Sequence, residues 1–211
     1  TTVISQAPTR FLVSGMGDAL STYFEARANV RSFSRVNASL PCGAREGVCA
    51  PGMGTNAAFA LATQCYQTLM ADGRKAKQAC DMNIVTPALE NIIEANILLS
   101  GLGFESGGLA AAHGIVDGLT ILPGTHKYMH GEEVAFGTLC HMMLENAPTE
   151  ELEEVLDFCL DVGLPVCLAD IGVESISPEE LRQVAEKASI PEESTHAMPF
   201  PDNAQTVAAA I

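Results

Sequence analysis

Asp18, His113 and His130 are the residues of this sequence best suited to chemistry, in Gly15-Met-Gly-Asp18, Ala112-His-Gly114 and His130-Gly-Glu-Glu133. One carboxylate and two imidazoles form a mixed oxygen–nitrogen set that suits a divalent metal with one position left open for water or substrate. Each residue also has a plainer reading. Asp18 follows Gly-x-Gly and can cap a helix. His113 lies among alanines and can be a buried ring bonded to a carbonyl. As a ligand it would need a partner for its second nitrogen, and Asp117, one turn on, can serve. His130 can be a surface or capping residue at a helix start. His126 and His141 are reserves, with His141 suited to the packed face of its helix. His196 falls in a turn. The three leading residues are separated by 95 and 17 positions, so no local motif joins them. Convergence requires side chains from facing helices.

The elements that must position these residues read as helices. The pattern predicts a helix over about 16–32, entered through Gly15 and Gly17, then a long glycine- and proline-rich loop over 41–54. A helix over 55–70 follows, with a shorter one after Gly73. Thr86-Pro87 pairs a capping residue with proline at the first helical position, opening a helix to about Ser100. Gly101-Leu-Gly-Phe-Glu-Ser-Gly-Gly108 is expected to break the pattern. Leu109 to Leu119 reads as a helix so rich in alanine and glycine that another backbone can approach closely. His130 to Asn146 is the next helix. Leu152, Val155, Leu156, Cys159 and Leu160 then recur at helical spacing, closed by Gly163. Ser177-Pro-Glu-Glu180 is a capping box, and a final helix is expected over 202–211. Only 1–5 and 121–122 offer weak strand candidates. The expected fold is all-α: one bundle-like helical domain over residues 1–211.

Composition narrows the function. Eleven basic and 26 acidic residues give a formal charge of −15. Such a surface repels phosphate backbones and anionic lipid, so neither nucleic acid nor a membrane is an expected partner. No apolar run approaches the roughly 20 residues needed to cross a bilayer, and Thr1–Arg10 lacks the order of a signal peptide. Seven cysteines without Cys-x-x-Cys suggest small buried hydrophobes in a reducing, cytoplasmic setting. Cys42 and Cys49, flanking a glycine-rich loop, are the only pair considered for bridging or modification. Strand-borne Gly-x-Gly-x-x-Gly, P-loop, Gly-x-Ser-x-Gly and His-Glu-x-x-His motifs are absent.

Phe11-Leu-Val-Ser-Gly-Met-Gly-Asp18-Ala-Leu-Ser-Thr-Tyr-Phe-Glu-Ala26, Val85-Thr-Pro-Ala-Leu-Glu90, Gly103-Phe-Glu-Ser-Gly-Gly-Leu-Ala-Ala-Ala-His113 and His130-Gly-Glu-Glu-Val-Ala-Phe-Gly137 carry a resemblance. Together they resemble the C-terminal helical domain of the glycerol dehydrogenases, within the metal-dependent (iron-containing) alcohol dehydrogenase superfamily. The resemblance implies that Asp18, His113 and His130 hold a catalytic zinc, with iron as the alternative, and that Phe104 lines the substrate pocket. It implies that the metal meets neighbouring hydroxyls of glycerol, or of a similar small polyol, while hydride passes to NAD and dihydroxyacetone forms. Val116 stands where relatives often carry a further histidine. Family members begin with an α/β nucleotide-binding domain that this chain lacks, and the chain reads as truncated relative to the family at both ends. The isolated chain is therefore expected to bind metal without oxidising glycerol. A homo-oligomer built through helical domains is also implied. Two rival readings are a related dehydrogenase using iron or another alcohol, and a non-catalytic helical fragment kept for self-association.

Overall fold

The computed structural model describes residues 1–36 and 52–211. Most of the 41–54 loop, with Cys42 and Cys49, therefore lies outside the described residues.

Helix α1 spans Thr9–Ser32, starting well before the expected Met16. The two glycines do not form a turn. They are points where other groups reach the α1 backbone. A Cβ on Gly15 would lie 2.6 Å from Asn96 Nδ2, and one on Gly17 would lie 2.2 Å from the Gly131 carbonyl oxygen. Helix α2 spans Asn56–Asp81, capped by the Thr55 hydroxyl, which accepts from Ala58 N at 3.1 Å. It runs straight through Gly73, where a break was expected, because the Phe158 ring fills the space a side chain would need.

Helix α3 (Pro87–Glu94) starts at the Thr86 cap. It continues through a π-helical turn at Ala95–Leu99 into α4 (Ser100–Gly107). The expected break at Gly101 is thus absent. Gly103 presses on Thr22 and Gly107 on Ala26, each within 3 Å of an added Cβ. That packing offsets the roughly 1 kcal/mol helix penalty of each glycine. The chain turns only at Gly108, with φ of +89°, a left-handed conformation that glycine adopts without strain.

Helices α5 (Ala111–Leu119), α6 (His130–Leu144), α7 (Thr149–Val162), α8 (Pro178–Lys187) and α9 (Ala204–Ala210) complete the order. Gly163, with φ of +82°, ends α7, and the Ser177/Glu180 box opens α8. The strand candidates fail: Ile4–Gln6 is a 3-10 turn and 121–122 lie in a turn. Among the described residues the only β-type pairing is one bridge, Arg35 to Met53. No described helix is long and apolar enough to cross a membrane.

Two apolar clusters hold the helices. One gathers Met16, Leu20, Phe24, Leu69 and Phe158, the other Ile115, Leu119, Ile171 and Val184. Helix α6 serves both, sending Leu139 and Met142 to the first and Phe136 and Cys140 to the second. A helix buried on several faces need not be amphipathic. Its register is set where it crosses α1, since a Cβ on Gly131 would lie 1.9 Å from the Ser14 carbonyl oxygen. Gly131→Ala must push two backbones apart, which is expected to cost about 3 kcal/mol, the upper end for overpacking. Chemical denaturation of the two chains measures it, and a difference below about 1 kcal/mol contradicts this crossing.

Candidate metal centre

The α1–α6 contact sets His130, the first residue of α6, beside Asp18 inside α1. Asp18 is therefore not a helix cap. His113 enters from α5, which lies so close to α6 that a Cβ on Gly137 would sit 2.5 Å from the Ala112 carbonyl oxygen. The three residues converge, with one donor atom from each lying within 4.8 Å of the others. His113 Nε2 is 3.5 Å and His130 Nε2 is 3.6 Å from Asp18 Oδ1. The imidazole centroids are 5.3 Å apart.

His113 is held from behind by a residue the sequence reading did not single out. Glu25, fully buried on α1, accepts from the backbone N–H groups of Ala110 at 2.8 Å and His113 at 3.0 Å through Oε1. Its Oε2 lies 2.7 Å from His113 Nδ1. Glu25 therefore takes the place expected for Asp117, which instead faces Glu193. Glu25 follows Asp18 by seven residues, two helical turns, so both project from one side of α1. That spacing, in a run of otherwise apolar and small residues, is the signal that marks it.

Burial opposes charge at His113, but Glu25 and Asp18 more than reverse this and raise its pKa to about 10. Burial likewise pushes the Glu25 carboxyl up, and His113 outweighs it, leaving Glu25 below the usual carboxylate range. At neutral pH, without metal, His113 is thus an imidazolium between two carboxylates. This ion pairing supports the fold fully between pH 4.5 and 6.5, the ordinary carboxylate and histidine values; its support is lost as pH rises through about 10 and as acid protonates Glu25. A metal ion must displace the Nε2 proton. Zinc uptake at pH 7.5 is expected to release about one proton per ion. Titration calorimetry in buffers of different ionisation enthalpy measures this, and uptake without proton release contradicts it.

The other histidines stay apart. His126 bonds the Thr120 carbonyl, and His196 bonds Ile190 and Asp202. His141 is fully buried beside Glu145, and burial holds its pKa down.

The triad opens onto a pocket of about 230 Å³ lined also by Thr22, Ser100, Phe104 and Leu109. The structure thus places Phe104 beside the three candidate ligands. The Asp18 and His130 side chains are 46% and 59% exposed, against 17% for His113, so the centre is open on one side. The volume lies below the roughly 300–1,000 Å³ of pockets for drug-sized ligands and suits a molecule of a few heavy atoms. The donor set fits a divalent metal. With the Nδ1 proton directed at Glu25, the Nε2 lone pairs of both histidines can share an ion with an Asp18 oxygen, leaving the open side for another ligand.

No family model matches the chain. Glycerol dehydrogenase from Thermotoga maritima is 48% identical over 98% of the chain and 54% of its own length. Glycolaldehyde reductase from Halobacterium salinarum is 43% identical over 95% of the chain and 52% of its own length. The crystal structure of a probable glycerol dehydrogenase from Sinorhizobium meliloti superposes with a TM-score of 0.90 at 46% identity. That match covers 99% of this chain and 56% of the other. The chain spans about half the length of these relatives.

Proposed function

Because this chain is homologous to the glycerol dehydrogenases over nearly its full length, spanning about half of theirs, we propose that it is the metal-holding half of an NAD-dependent glycerol dehydrogenase. The observation that carries this reading is the convergence of Asp18, His113 and His130 at the mouth of a small pocket. These three residues would hold zinc, or iron in the alternative reading. When bound, the metal supplies Lewis acidity to an alcohol oxygen. Hydride acceptance belongs to the nicotinamide, held by residues outside this half.

The chain's own residues do the rest. Asp18 and the two imidazoles bring one negative charge and two neutral donors, which leaves a bound divalent ion net positive and favours a developing alkoxide. Phe104 and Leu109 give the pocket apolar walls that limit water around the carbon skeleton. The Thr22 and Ser100 hydroxyls, bonded to each other at 2.9 Å, add a polar edge able to meet a second substrate hydroxyl. A small vicinal diol fits this division of apolar wall and polar edge. Self-association through helical faces and a cytoplasmic setting belong to the same reading. The buried free thiols of Cys65, Cys80, Cys140 and Cys159 support the latter.

Saturation-transfer NMR on the 211-residue chain tests the function. Glycerol is expected to bind with zinc present and not without it, and 1-propanol is expected not to bind. Zinc-independent glycerol binding, or equal binding of 1-propanol, contradicts the proposal. Light scattering with and without zinc tests self-association. NAD-linked glycerol oxidation by this chain alone would contradict the division of labour.

A further inference from the structure

Among the described residues, Glu25 is the only fully buried carboxylate, and three donors converge on it. An ionised carboxylate can only accept, so a neutral His113 ring held against it must carry its proton on Nδ1. Two of the bonds go to the backbone of the α5 entrance, at Ala110 and His113 itself. Oε1 thereby fixes where the helix starts, and Oε2 fixes the ring that the helix carries.

We propose that Glu25 is the positioning residue of the metal centre, setting the tautomer and angle of His113 so that Nε2 faces Asp18 and His130. The inference rests on the metal-centre reading above. Its physical content is separable, because ring orientation can be read without metal. Glu25 sits on the same helix as Asp18, so one rigid element carries a ligand and the group that aims a second ligand. Displacing α1 would move both together.

Glu25→Gln is the direct test. The glutamine carbonyl can still accept from Ala110 and His113, so the α5 entrance keeps its bonds. Its amide places N–H donors against Nδ1, which must then accept, and the ring proton moves to Nε2. Zinc affinity is expected to fall about 10–100-fold, the usual consequence of losing the group behind a histidine ligand. Ring-nitrogen NMR of zinc-free chains, each followed through a pH titration to its neutral ring, is expected to show Nδ1–H in the wild type and Nε2–H in the variant. A purely structural role would lower the melting temperature without moving the ring proton. Unchanged zinc affinity, or the same tautomer in both chains, overturns the proposal. If the wild type binds no zinc, the metal reading fails, while the ring spectra still decide the role of Glu25. Should Glu25→Gln not fold, Glu25→Asp keeps an acceptor-only group and is expected to retain Nδ1–H, and a ring protonated on Nε2 in that variant overturns the proposal.

Discussion

Replacing His130 with alanine is expected to abolish tight zinc binding while leaving the zinc-free fold intact. The candidate centre offers three protein donors, the number an open catalytic zinc site needs, and removing one leaves only a carboxylate and an imidazole. Losing a group behind a ligand already costs 10–100-fold, so losing a ligand is expected to cost about 10³-fold or more. His130 is the better choice for separating metal binding from folding. Its side chain is 59% exposed and it meets the other two members of the triad. His113→Ala should remove zinc equally well, but it also strips Glu25 of its charged partner inside the core. Removing one member of a buried ion pair destabilises by several kcal/mol, so that variant should melt earlier even without metal. Competition titration against a chromophoric chelator measures affinity, and thermal melts without zinc measure the fold. A His130→Ala chain that binds zinc as tightly as wild type would remove this residue from the centre.

Arg27→Met is expected to produce the largest loss of stability. The Arg27 side chain is 9% exposed and lies over the rings of Tyr23 and Phe24. It donates to Glu145 at 2.7 Å and Glu151 at 2.6 Å, tying α1 to the end of α6 and the start of α7. Glu145 is 4% exposed and also meets Arg31. Methionine replaces the stem but leaves these carboxylates short of charge. Breaking a buried pair from one side costs about 3–5 kcal/mol. For a chain of this size that lowers the melting temperature by roughly 10 °C. Replacing Glu145 with leucine in the same chain should recover part of the loss, since well-packed apolar groups can substitute for a buried pair. A melting shift of under about 2 °C for Arg27→Met would show that the network carries little of the fold.

What the sequence disclosed follows from the range of the interactions involved. The end of α7 and the start of α8 were legible because their causes are local: glycine at a left-handed position and a serine–glutamate box. The early start of α1 and the unbroken path from α3 through α4 were not. Gly15, Gly17, Gly103 and Gly107 read as breakers, yet each meets a neighbouring helix or its side chains, which local propensity cannot register. Gly73 misled for the same reason, with Phe158 some 85 positions away filling its place. The triad could be nominated from residue type and from resemblance, but its convergence depends on two backbone crossings, Gly17–Gly131 and Gly137–Ala112. Asp117 was the nearest acid in sequence to His113, whereas the acid that bonds its ring comes from another helix. A two-turn spacing from Asp18 marks Glu25 within the helix expected over 16–32, but local pattern does not show that the α5 entrance packs against that face.

The most direct test of the whole account is the metal content of the 211-residue chain, purified without chelator and measured by elemental analysis. About one zinc per chain is expected, lost in His130→Ala. Neither zinc nor iron in the wild-type chain, even after incubation with either ion, would contradict the account and leave a helical relative of the glycerol dehydrogenases without a working centre.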